Sequence, residues 1–143
     1  MSHPVETRRR RAREAAFRVA YQADVAKDSY AETWRTRRDA ERLTDDQAQL
    51  VSDVVEVLDQ RGPEVDGHIT AAAEHWPLDR IAATDRSVLR VGVAELIGRP
   101  GTPARVVLNE AIDIAKEYGS ESSAAFVNGV LDRVARGLRS GEF

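Results

Sequence analysis

The run Arg8 to Arg11, with Arg13 two positions on, is the densest group of chemically committed side chains in the sequence. Guanidinium groups carry a fixed positive charge and match phosphate oxygens in a two-pronged geometry, so this spacing suits the capture of a polyanion. The run falls at the start of a helical pattern, where the backbone dipole is positive and each cation is disfavoured by about 0.3–1 kcal/mol. An offsetting gain is therefore expected. RNA phosphates supply one through counterion release, and arginine planes also stack on unpaired bases. Tyr21 lies eight residues beyond Arg13, a little over two helical turns, and can offer a ring for base stacking on the same side; a buried core tyrosine is the competing reading. An anionic membrane surface fits less well, because the opposite face of this helix is rich in alanine and lacks the large apolar side chains that enter lipid.

Other chemistry is sparsely represented. There are no cysteines, which removes disulfides, thiolate metal sites and cysteine nucleophiles together. His68 and His75 are seven residues apart, about 10 Å along a helix, too far for both to hold one metal ion, so no metal site is expected. Asp45, Asp46 and Glu121 fall in predicted first turns, where negative charge stabilises a helix without any catalytic role. No phosphate-cradling glycine loop, nucleophile elbow or zinc-protease motif is present, and the residues predict no catalytic centre and no cofactor.

The charge distribution sharpens the first reading. The 143 residues carry a formal charge of −3. Residues 1 to 20 hold six arginines against Glu6 and Glu14, a local +4 that leaves −7 on the remainder. A basic cluster on an acidic chain points to a localised anionic partner rather than diffuse attraction. At 42% hydrophobic residues the chain can fill one core, and no apolar run reaches the length of a membrane span. The opening residues lack a secretory pattern, so the expected location is the cytoplasm.

The elements that must position these groups are read as helices. Ala12, Ala16, Val19, Ala20 and Ala23 recur at helical spacing between Thr7 and about Val25. Ser29 with Glu32 and Thr44 with Gln47 form two capping-box patterns, opening helices to about Leu43 and Arg61. A shorter helix is predicted from Pro63 to Glu74, ended by Trp76 and Pro77, with a brief turn at Asp79. Thr84 or Ala83 opens a strongly apolar, central helix to Gly98, and Thr102 with Pro103 opens the next, to Gly119. The last helix begins near residues 120–123, after which Gly137 and Gly141 are expected to loosen the tail. The fold class is therefore all-α, a single bundle of six to seven helices over residues 1–143.

Three blocks carry a family resemblance. The first is Arg9-Arg10-Arg11-Ala12-Arg13-Glu14 with Tyr21-Gln22; the second is Asp85 to Val91 with Glu95-Leu96. The third is Asn109-Glu110-Ala111 with Ala115-Lys116, running on to Phe126-Val127-Asn128-Gly129-Val130-Leu131-Asp132. In this order and spacing they resemble the NusB family over nearly the whole chain, residues 30 to 75 matching in character only.

The resemblance implies two small helical subdomains and a non-enzymatic factor that binds the boxA element of ribosomal RNA leader transcripts together with NusE, a small-subunit ribosomal protein. It also implies action within the RNA polymerase antitermination complex. By position, Arg9, Arg10, Arg13 and Tyr21 are expected to contact RNA, with Asp85 and Phe126 nearby, and Asp85, Glu95 and Ser122 to face NusE. Ser122 stands where some relatives carry aspartate. Asn128 and Gly129 are read instead as packing residues, since both cost stability in mid-helix. Alanine at Arg9, Arg10 and Arg13 is expected to weaken RNA binding while leaving the fold intact. The competing reading is a helical assembly module whose arginines pair with acidic protein surfaces, a homodimer included.

Overall fold

Seven α-helices and no strand occur among the residues described, 4–143, in this computed structural model; side chains are described from Arg9 onward, so Arg8 lies outside them. The helices are α1 (Pro4–Ala26), α2 (Tyr30–Glu41), α3 (Asp45–Gln60), α4 (Gly62–Ala72), α5 (Ala83–Gly98), α6 (Ala104–Tyr118) and α7 (Ser123–Leu138). Short 3-10 turns occupy Leu78–Arg80 and Ser140–Glu142.

Local chemistry sets most of these limits. The Thr44 hydroxyl accepts from the Gln47 backbone N–H, and the Gln47 side chain accepts from the Thr44 N–H, completing the capping box predicted for α3. At α2 only half of the expected box forms: Ser29 Oγ accepts from Glu32 N–H at 3.0 Å, while the Glu32 carboxylate pairs with Arg35. The start predicted for α6 shifts by one residue. Pro103 takes the N-cap position with an extended ψ of 140°, and Thr102 is buried just before it. The free N–H of Ala104 is satisfied from far along the chain, by Glu142 Oε1 at 2.8 Å. The tail is correspondingly fastened: Arg139 donates to the carbonyls of Leu96, Arg99 and Thr102 as well as to Glu142.

Helix α5 is the hub. Its residues Val88, Leu89, Val91, Val93, Ala94 and Leu96 are buried around nearly the whole circumference, packed against α1, α3, α4, α6 and α7. Such a helix must approach some neighbours closely. At Gly92 an added Cβ would lie 2.9 Å from Leu131 Cδ1, so glycine admits the α7 side chain. Gly129 does not act this way. A Cβ there would meet nothing within 4 Å, and Asn128 is also exposed, which corrects the packing role expected of both.

Candidate nucleic-acid interface

The buried face of α1 (Ala12, Ala15, Ala16, Val19, Ala20, Ala23) fixes where each arginine of the basic run points. Arg9 and Arg11 are exposed and make no ion pair among the described residues. Arg10 is held on α6, where Nε donates to Glu110 Oε2 at 2.8 Å and Nη2 pairs with Asp113. Burial works against its charge, but the hydrogen bonds and fields of Asp113 and Glu110 outweigh it and raise its pKa. Its side chain still keeps 42% exposure, so it borders the surface that Arg9 occupies.

Arg13 is a different case. Its Nε and Nη2 grip both oxygens of Glu95 on α5, at 2.8 and 2.7 Å, and the two residues are 2% and 1% exposed. Neither can meet an external partner in this arrangement. The expectation that Arg13 contacts RNA, and that Glu95 faces NusE, is corrected on that ground: they are a cross-link between helices inside the protein.

Beyond the arginines, α1 presents Tyr21, 38% exposed, on the wall of a groove of about 480 Å³. Phe17 forms the floor, with its ring centroid 6.1 Å from Tyr21 and 4.9 Å from Tyr118, so three aromatic rings follow one another across α1 and α6. Arg18 and Arg37 line the same groove, both paired with Glu41 of α2. The Arg18 hydrogen bond is the main cause of a lowered Glu41 pKa, opposed by burial and supported by Arg37.

A second recess, of about 280 Å³, brings together Asp85, Ser122 and Phe126 with Trp76 and Arg80. Asp85 sits in the opening turn of α5, where a helix dipole favours negative charge. Ser122 and Phe126 arrive by the α6–α7 turn. That turn is tight: Ser120 N–H donates to Ser123 Oγ at 2.9 Å, and a Cβ on Gly119 would lie 2.7 Å from the Ala115 carbonyl. Thus three residues expected at an interface do share one site, although Asp85 is largely buried and its Oδ1 has no hydrogen-bond partner. Trp76, 55% exposed, and Arg80 were not anticipated there; the sequence signal at Trp76-Pro77 reads only as a helix break. Thr84 borders the Tyr21 groove while Asp85 borders this recess, so the first turn of α5 separates the two.

Fold and site together define an all-helical protein with two exposed arginines on its first helix, unpaired among the described residues, and two recesses walled by aromatic side chains. The NusB family pattern matches residues 10–136. The chain is 47% identical to the transcription antitermination protein NusB of Anaeromyxobacter dehalogenans over 92% of its own length and 93% of that protein. It is 40% identical to the NusB of Koribacter versatilis, over 91% and 90%. Among solved structures, T. maritima NusB superposes with a TM-score of 0.84 at 32% identity, covering 95% of this chain and 93% of that one. A chain in the crystal structure of antitermination factors NusB and NusE in complex with dsRNA gives 0.81 at 28% identity, covering 92% and 98%. The chain belongs to the NusB family of transcription antitermination factors.

Proposed function

We propose that this protein, acting without catalysis of its own, binds the boxA element of ribosomal RNA leader transcripts together with NusE and promotes processive transcription by RNA polymerase. The observation that carries this reading is the pair Arg9 and Arg11, exposed on α1 and without an ion pair among the described residues, on a chain that is otherwise acidic. An exposed guanidinium can neutralise an approaching phosphate, and each neutralised phosphate adds a salt-dependent term to affinity. Arg10 joins them by its exposed portion, and Tyr21 supplies a flat face about three turns further along α1. The relative solved with NusE and dsRNA supports both partners.

Electrophoretic mobility shift with boxA RNA and a scrambled RNA of equal length, each with and without NusE, tests the proposal. Preferential retardation of boxA, strengthened by NusE, is the expected result. Equal treatment of the two RNAs in both conditions would leave a protein-assembly role as the better account.

A further inference from the structure

We propose that Asp113 of α6 is an internal competitor for RNA: its carboxylate takes the place of one phosphate on Arg10, and the bound strand displaces it. The inference rests on the RNA-binding reading above and adds to it a contact that restrains affinity.

Helix geometry singles out Arg10 within the basic run. Successive residues of a helix turn by about 100°, so Arg9 and Arg11 point about 100° to either side of Arg10. Phe17 and Tyr21 lie about two and three turns beyond Arg10, on the same stripe of α1. Both border the groove that Tyr118 completes from α6. Arg10 is therefore the cation in line with the aromatic row. A strand stacked on those rings and running along α1 brings a phosphate to Arg10, and there it meets a guanidinium that is already engaged.

The two edges of that guanidinium are held unequally. Nε donates to Glu110 Oε2 at 2.8 Å, and Glu110 is 8% exposed with its other oxygen 3.8 Å from Arg13 Nη1. That edge is anchored to the protein interior. Nη2 pairs with Asp113, whose side chain is 41% exposed and has no other hydrogen bond or ion pair among the described residues. A solvent-screened pair of this kind contributes little to stability. A phosphate at the same edge gives a charge-assisted hydrogen bond and releases counterions from the RNA. Exchange at Nη2 keeps the Glu110 anchor and replaces one anion by another. The surrounding charge acts in the same direction: Arg10 and Arg13 are set against Glu95, Glu110 and Asp113, so the cluster holds one anion in excess and Asp113 is its exposed member.

Fluorescence anisotropy with labelled boxA RNA tests the assignment on the wild-type protein, Asp113→Asn, Arg10→Ala, the double variant and Glu117→Gln. Glu117 is the control, an exposed carboxylate one turn further along α6 with no ion pair among the described residues. Asp113→Asn should bind the RNA about threefold more tightly than wild type. Glu117→Gln, which removes the same charge without freeing an arginine, should change affinity by less than about twofold. In the Arg10→Ala background the gain from Asp113→Asn should shrink to that of Glu117→Gln, with circular dichroism confirming the fold of each variant. A weaker or unchanged affinity for Asp113→Asn would overturn the proposal and make Asp113 a residue that positions Arg10. An equal gain with and without Arg10 would also overturn it, since the effect would then be one of general charge. If the wild-type protein and every variant fail to bind, the RNA-binding reading itself fails.

Discussion

Arg13 on α1 and Glu95 on α5, 82 residues apart in sequence, are bound by Nε and Nη2 to the two carboxylate oxygens with almost no solvent access. Removing one partner of such a pair leaves an uncompensated buried charge and costs about 3–5 kcal/mol. Arg13→Ala should therefore lower Tm by roughly 10 °C in a chain of this size, as read by thermal denaturation. Arg13→Met combined with Glu95→Leu should recover most of the loss, because it removes both charges together.

Arg9→Ala and Arg11→Ala should behave in the opposite way. Exposed side chains with no ion pair among the described residues contribute little to folding, so stability should stay within the range of surface substitutions, about ±0.5 kcal/mol. Their effect should appear in RNA affinity as a function of salt: each lost phosphate contact makes the slope of log affinity against log salt shallower by about 0.7 for single-stranded RNA. An unchanged slope in the double variant would remove these arginines from the interface.

Asp24 on α1 is held by Arg86 and Arg90 of α5, at 2.6 and 3.1 Å. Burial pushes its pKa upward, yet the hydrogen bonds and charges of the two guanidinium groups outweigh it, and the net direction is down from 3.8. Glu41 is lowered from 4.5, chiefly by its hydrogen bond from Arg18. A depressed folded pKa contributes stability above the unfolded value and loses it as pH falls through the folded one. Stability should thus decline below about pH 4.5, and Asp24→Asn should be less stable than wild type at neutral pH while losing less on acidification, as measured by urea unfolding across that range.

Gly119→Ala should destabilise the protein by about 1–3 kcal/mol, the usual cost of forcing atoms into an occupied space. The new Cβ would stand 2.7 Å from the Ala115 carbonyl oxygen and 2.4 Å from Ser123 Oγ, and neither the helix carbonyl nor the buried serine can move freely. Differential scanning calorimetry should show the loss.

Elements set by nearby residues were legible in the sequence. Thr44 and Gln47, three apart, announce their own reciprocal cap, and Gly98 and Gly119 close α5 and α6 where the apolar pattern ends. Interactions between distant segments were not. Arg13 belongs by type and neighbourhood to a basic run, and nothing local reveals that its partner is Glu95 on another helix. The cap on α6 comes from Glu142 rather than adjacent Thr102 for the same reason. At the site, Asp85, Ser122 and Phe126 were chosen by resemblance and do converge, whereas Trp76 looked like punctuation because its value lies in what the chain folds next to it. Gly129 misled in the other direction, a residue associated with tight packing that faces open space.

Arg86 has one further effect. While two of its nitrogens hold Asp24 on α1, a third donates to the carbonyls of Leu78 and Ile81, at 3.1 and 2.7 Å, in the segment leading from Trp76 to α5. A single guanidinium thereby clamps the segment that borders one recess to the helix that carries Tyr21. The gap between them becomes a fixed gauge length, like the jaws of a caliper. Anything long enough to touch both recesses would have to match that one spacing.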